Sequence, residues 1–586
     1  MDLGVQLWIW AAPEFIIVTQ IAFGIMGNHL FKGNESLMAA YNFQLLIKYL
    51  LEHGVAWAPD QEIVYRSNMR YTYKDLNLRV LKLASALKEL GVGEGTMVGV
   101  MEWDSHRYLE MYFGIPGIGA ILHTINPKLA VNNITYCMET AQDEILIFHE
   151  DFLPLVEEIR PQLPFIKQYI MISDKDDTPD IELVSAGYEQ LLQDAQPLKE
   201  LPDMDENTQA TMAFTSGTTD NPKGVYFTHR QIVLHTLSGW SSAAIMGNFG
   251  GIGKHDVYMP LTPMFHVHAW GVPYWATLFG LKQVYPGKYD PDLIVKLAVD
   301  EKVTFSHCVP TIVQMVLTAA KAKNLDLKGW KIITGGSRLP KGLAISAGKQ
   351  GLQLTGGYGL SESCPFIVLA NLKPFMEKKW DEDQQLDMTV KTGVPMPLVK
   401  ARVVTPTGED VPADGKTTGE IVLRSPWLTP GYYKDPANSE KLWDGDWMHT
   451  GDVAHIDQHG YLQIVDRLKD IIKSGGEWIV SMEIENLLSL HEDIKEAALI
   501  GVPDEKWGER PLAIIVPAKG AQDRVTTKAV KEHLMAFVNK GDIMKWAVPN
   551  HYIFVEELAK TTVGKIDKKT LRDHYQTLPD SKRECK

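Results

Sequence analysis

The sequence predicts an α/β protein. A large N-terminal domain of doubly wound sheets carries a small β-barrel-like part, and a smaller, mobile α+β C-terminal domain follows. Three observations predict this. Between residues 72 and 334, short apolar strand-like runs alternate with amphipathic helical stretches, which implies parallel sheets covered by helices. Residues 399–465 switch to short alternating strands broken at Thr407-Gly408, Asp414-Gly415 and Asp457–Gly460, which reads as an antiparallel sheet or small barrel. A charge-rich stretch, 466–478, then separates this part from a shorter mixed run that ends near 578. The expected boundaries are an apolar extension (1–35), the large domain (36–466), a hinge linker (467–472), the C-terminal domain (473–578) and a tail (579–586).

Taken in order, the first 25 residues are mostly apolar, but Pro13 and Glu14 interrupt them and no Lys or Arg precedes them. A signal peptide wants a basic start, and a membrane helix wants about 20 unbroken apolar residues. Neither fits, which leaves an extension or peripheral contact with a membrane surface. Thr72 and Asp75 form a capping box ahead of Leu76, Val80, Leu83, Leu87 and Leu90, and Gly91 stops that helix. A strand at 97–101, a helix at 105–115 and strands near 144–149 and 168–173 follow. After residue 215 the alternation resumes with helices at 293–299 and 311–322 and strands at 303–307 and 331–334. The C-terminal part reads as a helix near 481–491, strands near 496–502 and 511–517, a helix near 526–539 and a strand near 551–556.

Composition is ordinary for a globular chain of 586 residues, 45% hydrophobic and 22% charged. A net charge of −15 argues against general nucleic-acid binding, which needs a basic face. The four cysteines, Cys137, Cys308, Cys364 and Cys585, have no paired spacing and read as reduced thiols of a cytoplasmic protein.

The chemistry concentrates in TMAFTSGTTDNPKGVYFTH, residues 211–229. Thr215, Ser216, Gly217, Thr218 and Thr219 offer hydroxyl and backbone donors on a loop that glycine lets approach an anion, and Lys223 adds charge. The suggested ligand is the phosphate chain of a nucleoside triphosphate. The spacing is not that of the P-loop, which needs Gly, four residues, then Gly-Lys-Ser/Thr. A turn at Gly335, Gly336 and Ser337 follows a strand, where open α/β sheets place ligands. In LTGGYGLSES, 354–363, Gly356 and Gly357 would allow close approach, Tyr358 could stack on a base, and Glu362 could hold magnesium together with Thr215. Asp452, in His449-Thr450-Gly451-Asp452, is placed to take ribose hydroxyls. Arg467, Lys469, Lys473 and Trp478 lie in the charged linker DRLKDIIKSGGEW, and Lys565 in the loop TTVGKIDKK. His266 and His268 have metal-ligand spacing but no third ligand beside them.

Together these strings resemble the adenylate-forming enzymes, from about residue 40 to about 575. INPKL, PMFHVHAW, GYGLSE, DRLKDIIKSGGEW and EKWGERP are most similar to the medium- and long-chain fatty acyl-CoA synthetases. The resemblance implies an ATP-dependent acid–thiol ligase. The carboxylate of a fatty or other acid attacks ATP to give an acyl-adenylate and pyrophosphate, and CoA then displaces AMP. It implies Thr215 and Glu362 at magnesium, and Ser216–Thr219 and Lys223 over the β- and γ-phosphates. Gly335, Gly336, Gly356, Gly357, Tyr358 and Ser361 would lie around the acyl-adenylate, and Asp452 at the ribose. Arg467, Lys469, Lys473 and Trp478 would lie near nucleotide and hinge, and Lys565 would serve adenylation. His266, Val267 and Trp270 would form the strip that gates the acyl pocket. A homodimer is implied as well. Two positions depart from the pattern: Asp220 stands where the family has Gly, and His268 where it has Asn. A ligase for a short, branched, sulfur-containing or aryl acid is the nearest alternative, and a nucleotide-binding regulator without chemistry a more distant one.

Overall fold

The computed structural model describes residues 41–575 apart from 176–180, 216–220, 248–249, 475–476, 542 and 561–565, together with the side chains of 477 and 478. The apolar stretch 3–25 lies outside the described residues. The chain divides into two compact units, 1–44 and 45–586. Within the described residues, no helix is long and apolar enough to cross a membrane.

The second unit is built on four sheets. The first has seven strands in the order Ala186–Gly187, Gln168–Ile172, Ile145–His149, Met97–Met101, Ile121–Thr124, Gln209–Phe214 and Gly224–Thr228. All pairs are parallel except the last. The chain runs from Met97–Met101 to a neighbour on one side and later fills the other side, so the winding reverses there. The second sheet has nine strands, with a parallel centre from Glu62–Tyr65 through Lys282–Tyr285, Val257–Tyr258, Phe305–Cys308 and Lys331–Thr334 to Gln353–Gly359. Antiparallel strands close both edges. The third sheet is antiparallel and contains Lys400–Val404, Gly419–Arg424, Trp447–Ile456 and Leu462–Arg467. The fourth carries the long hairpin Ile494–Asp504 and Gly508–Pro517, with His551–Phe554 parallel to its second arm.

Local sequence explains the elements. The helix Tyr73–Glu89 begins in the expected capping box, with the Thr72 Oγ1 accepting from the Asp75 amide and the Asp75 carboxylate accepting from the Thr72 amide. Such a cap contributes about 1 kcal/mol. Leu76, Val80, Leu83 and Leu87 are fully buried, each worth roughly 1.5–3 kcal/mol relative to exposure. Asp104 joins the first two sheets. Its side chain accepts from the Met264 amide at 2.7 Å and its carbonyl from the Gly287 amide at 2.8 Å.

The glycine-rich LTGGYG is part of the strand Gln353–Gly359. A Cβ at Gly356 would sit 2.2 Å from the Lys391 carbonyl oxygen, and one at Gly357 2.8 Å from the Phe366 ring. These glycines permit a close approach of protein to protein, a use of glycine inside strands that a Gly-Gly pair in sequence does not distinguish from a turn.

Candidate active site

The carboxyl ends of the two large sheets face one cavity of about 930 Å³, near the upper end of the range of about 300–1,000 Å³ common for small-ligand sites. Thr215 reaches it from the end of Gln209–Phe214, Lys128 from beyond Ile121–Thr124, Val309 from the end of Phe305–Cys308, and Gly335 and Gly336 from the end of Lys331–Thr334. The third sheet supplies Thr450, Gly451, Asp452 and Arg467, the turn after it supplies Leu468 and Lys469, and the C-terminal part supplies Lys560. Ligand position at strand ends is the rule for open α/β sheets.

The polar half is tightly organised. The Thr215 Oγ1 accepts from the Lys223 amide at 3.1 Å, and the Thr215 amide donates to the Lys223 carbonyl at 2.9 Å. These bonds close the base of the loop whose middle residues, Ser216, Gly217, Thr218, Thr219 and Asp220, lie outside the described residues. The Glu362 carboxylate accepts from the Tyr432 hydroxyl at 2.7 Å, and its carbonyl accepts from the Thr429 amide at 2.8 Å. The Lys223 ammonium lies 5.2 Å from the centre of the Tyr432 ring. Burial, and then the Glu362 charge, push the Tyr432 phenol well above its ordinary range, so it stays a donor. Asp452 is almost buried. One of its oxygens accepts from the Tyr358 hydroxyl at 2.7 Å and the other faces the Arg467 guanidinium at 3.3 Å. The Asp452 charge, opposed by burial, raises the Arg467 pKa, whereas burial and then Arg467 lower that of Lys469.

The apolar half is made by Leu261, Pro263, Val267, Trp270, Ile312, Met315 and Phe366. Gly335 matters here because a Cβ there would lie 3.2 Å from the Trp270 ring. Val267, His268, Ala269 and Trp270 have φ of 43°, 58°, 46° and 59°, and Gly271 continues at 77°. Four successive left-handed L-residues cost roughly 1–2 kcal/mol each, and such strain persists only where the surroundings enforce it. The two histidines of the strip part company: His266 lines the cavity and His268 is buried behind it. Among the described residues, no group of three or more His, Cys, Asp and Glu is arranged to hold a metal ion.

Of the residues picked out in the sequence, Thr215, Lys223, His266, Val267, Trp270, Gly335, Gly336, Gly357, Ser361, Glu362, Asp452, Arg467 and Lys469 line this cavity. Tyr358 lies behind Asp452 and orients it. Gly356 packs against the 391 carbonyl. Lys473 is exposed, and its amide donates to Glu509 at 2.9 Å. The Trp478 side chain and all of Lys565 lie outside the described residues. Sequence reasoning missed Tyr432, Lys128, Lys560 and Tyr289. Lys128 lies inside the string INPKL, which was a signal; Tyr432 sits in an unremarkable GYYKD turn.

The model of the AMP-binding enzyme family matches residues 51–433, and that of the AMP-binding enzyme C-terminal domain matches 483–565. The chain belongs to the AMP-binding enzyme family. This AMP-binding enzyme is 40% identical over 534 residues to a long-chain-fatty-acid–CoA ligase of Thermus thermophilus, covering 90% of this chain and 95% of that one. It is 36% identical over 547 residues to a 3-methylmercaptopropionyl-CoA ligase of Ruegeria lacuscaerulensis, covering 91% and 97%. It shares the fold of ATP-bound MatB from Rhodopseudomonas palustris, with a TM-score of 0.78 at 22% identity, over 91% of this chain and 99% of that one.

Proposed function

We propose that this AMP-binding enzyme is an ATP-dependent fatty acid–CoA ligase. The observation that carries the reading is a single cavity with one apolar arm and one arm in which Thr215, Lys223, Glu362, Asp452 and Arg467 converge. Such a cavity suits an acid with an apolar tail beside a nucleotide.

In the first half-reaction a carboxylate oxygen of the acid bonds to the α-phosphorus of ATP, and the bond from that phosphorus to the bridging oxygen breaks. Pyrophosphate leaves with that electron pair, and an acyl-adenylate remains. In the second, the CoA sulfur, having lost its proton, attacks the acyl carbon and AMP departs. Phosphoryl chemistry of this kind relies on positioning and on cations more than on acid–base catalysis. Lys223 and the closed base of the 215–223 loop would hold the phosphates. Asp452, fixed by Tyr358 and Arg467, would receive the ribose, and Trp270 and Val267 would border the acyl chain. Thr215 and Glu362 offer the oxygen ligands that magnesium prefers, and both face the same cavity. When bound there, the ion would neutralise the leaving pyrophosphate. Lys565 is assigned to adenylation.

The test is product analysis with acid, ATP and CoA. Equimolar AMP and acyl-CoA support the reading, and ADP as the nucleotide product contradicts it. Homodimer assembly and membrane-surface contact are further expectations, read by light scattering and by co-sedimentation with vesicles. A ligase for a short sulfur-containing acid is the second reading, favoured by the identity to the Ruegeria enzyme.

A further inference from the structure

The helix His229–Ala244 is apolar on two sides. Its inner side, with Ile232, Val233 and Ala243, is buried, and a Cβ at Gly239 would sit 2.0 Å from the Trp275 ring. Its outer side carries Leu234, Leu237, Ser241 and Ala244 at helical spacing and runs on to Ile245. A helix side that faces only water is ordinarily polar. Here Leu237 is 47% exposed and Ile245 71%.

Three neighbouring segments extend this face. The Trp240 ring stacks on Phe279 at 3.8 Å, and a Cβ at the adjoining Gly280 would lie 3.3 Å from Trp57, an exposed indole. The Asn371 side-chain amide donates to the Ser242 carbonyl at 3.0 Å and sets the helix Pro374–Lys379, with exposed Phe375, beside the end of the row. The Ser238 hydroxyl donates to the Pro397 carbonyl at 2.7 Å, which brings up Leu398, 62% exposed. Leu398 is the telling residue. The turn Met396–Val399 is closed by the Val399 amide donating to the Met396 carbonyl at 3.1 Å, with Pro397 second and Leu398 third at a φ of 65°. That third place favours Gly or Asn, because a Cβ is strained there. A leucine in it costs stability through strain, and most of its side chain reaches water instead of the core. Strain held at an exposed apolar side chain points to a use for that side chain outside the fold.

Lysines frame the row. Lys400 follows Leu398, Lys378 and Lys379 end the helix beside Ser242, and Lys254 comes three residues after Gly251, whose amide donates to the Met246 carbonyl at 2.8 Å. All four are exposed, and none has an acidic partner among the described residues. Glu377 lies among them, against Gly247. In a chain of net charge −15, unpaired lysines around an apolar row are a local exception. They complement an anionic surface. A symmetric pairing with a second copy would instead bring the same lysines of both copies together, which is unfavourable.

We propose that this face docks the enzyme on an anionic lipid bilayer, with Leu398, Ile245 and Leu237 entering the acyl boundary, Trp57 and Trp240 lying at the interface and the four lysines meeting the headgroups. Apolar residues flanked by lysines are the composition that lies in a membrane surface without spanning it. The inference gives membrane-surface contact a place on the fold, and it stands independently of the ligase reading.

The experiment is co-sedimentation of the full chain with vesicles of phosphatidylcholine alone and of phosphatidylcholine mixed with phosphatidylglycerol. The expected result is tighter binding to the mixed vesicles that weakens as salt is added. Ile245→Ser and Leu398→Asn should each weaken binding about 10-fold, the size of losing one partly buried aliphatic side chain. Lys378→Ala and Lys379→Ala should each weaken it about 5-fold on the mixed vesicles and leave binding to phosphatidylcholine unchanged. Leu490→Ser, at an exposed leucine of the C-terminal part, should have no effect. Asn tolerates the left-handed turn, so Leu398→Asn should keep or raise the thermal midpoint while losing vesicle binding, a pair of effects that a core role would not give. A lower midpoint in that variant, no binding to either vesicle, or binding that Ile245→Ser and Leu398→Asn leave intact would overturn the proposal. So would a fall from dimer to monomer mass by light scattering in these variants, which would assign the face to a second copy. ATP–pyrophosphate exchange with a soluble acid and no vesicles should match the unaltered protein in every variant. Its absence from all of them, the unaltered protein included, would overturn the ligase reading and leave this one standing.

Discussion

The Tyr432 hydroxyl donates to the Glu362 carboxylate at 2.7 Å, and the same ring faces the Lys223 ammonium at 5.2 Å. One aromatic side chain thereby ties together three segments far apart in sequence. Tyr432→Phe keeps the ring and its cation contact but removes the hydrogen bond. A hydrogen bond to a charged group is worth about 1.5–3 kcal/mol, so adenylation should slow by about 10–100-fold with little change in thermal stability. Calorimetric titration of ATP with and without magnesium supplies a second readout. If Tyr432 positions Glu362, the variant loses part of the magnesium-dependent gain in affinity.

The helix Lys568–Tyr575 is tied to the helix Ser481–Ser489, and that helix to the strand Leu462–Arg467, through buried charge. Asp466 accepts from both the amide and the hydroxyl of Ser481 at 2.6 Å, and the Lys568 ammonium meets Glu485 at 2.8 Å. Burial opposes the Lys568 charge, and Glu485 restores it. Glu485→Ala leaves that ammonium without its carboxylate, which costs about 3–5 kcal/mol when a buried pair loses one partner. Denaturant unfolding of the full chain measures this. A loss below about 1 kcal/mol, typical of an exposed pair, would show that the pair is solvated.

Asp104 supplies a pH test. Burial raises its pKa to about 7 from an ordinary 3.8, against the opposing pull of the Met264 amide. A raised acid binds its proton more tightly in the folded state, so between pH 3.8 and about 7 the native state carries more protons than the unfolded one. Stability from this group therefore falls as pH rises through that window and levels off above it. Asp104→Asn has no such loss. Its stability relative to the unaltered protein should rise from pH 4 to pH 7 by about 2–4 kcal/mol, from 1.36 kcal/mol per unit, and then stay constant. Urea midpoints across that pH range measure it, and a flat difference would contradict the burial of a charge there.

Gly356→Ala should destabilise by about 1–3 kcal/mol, the usual cost of overpacking, because its Cβ would meet the Lys391 carbonyl oxygen at 2.2 Å. Unfolding midpoints for this variant, compared with Gly253→Ala, where a Cβ meets nothing within 4 Å, isolate the close approach.

Gly356 also shows where sequence reading reaches its limit. The alternation of strand and helix, the Thr72–Asp75 cap and the antiparallel character of 399–465 were all legible, because they depend on local period and turn chemistry. So were Thr215, Glu362 and Asp452, which sit in ordered strings of unusual composition. The role of Tyr432 was not legible, since its partners lie 70 and more residues away and tyrosine in a turn carries no signal of its own. Tyr358 reads in the sequence as a ring to stack on a base, and the bond from its hydroxyl to Asp452 was not legible there. That contact depends on two sheets meeting, which no local pattern encodes. The left-handed run at 267–270 was equally hidden, because residues with Cβ atoms adopt that conformation only when tertiary packing compels them.

The central claim is that the carboxylate is activated as an acyl-adenylate before CoA takes part. Exchange of labelled pyrophosphate into ATP, measured with a fatty acid and magnesium but without CoA, tests it most directly. The account predicts exchange that depends on the acid and falls about 10²–10³-fold in Lys565→Ala, the size of losing one charge-stabilising donor. It further predicts that thioester formation from supplied acyl-adenylate falls far less in that variant. Exchange that is absent without CoA, or equal loss in both half-reactions, would contradict it.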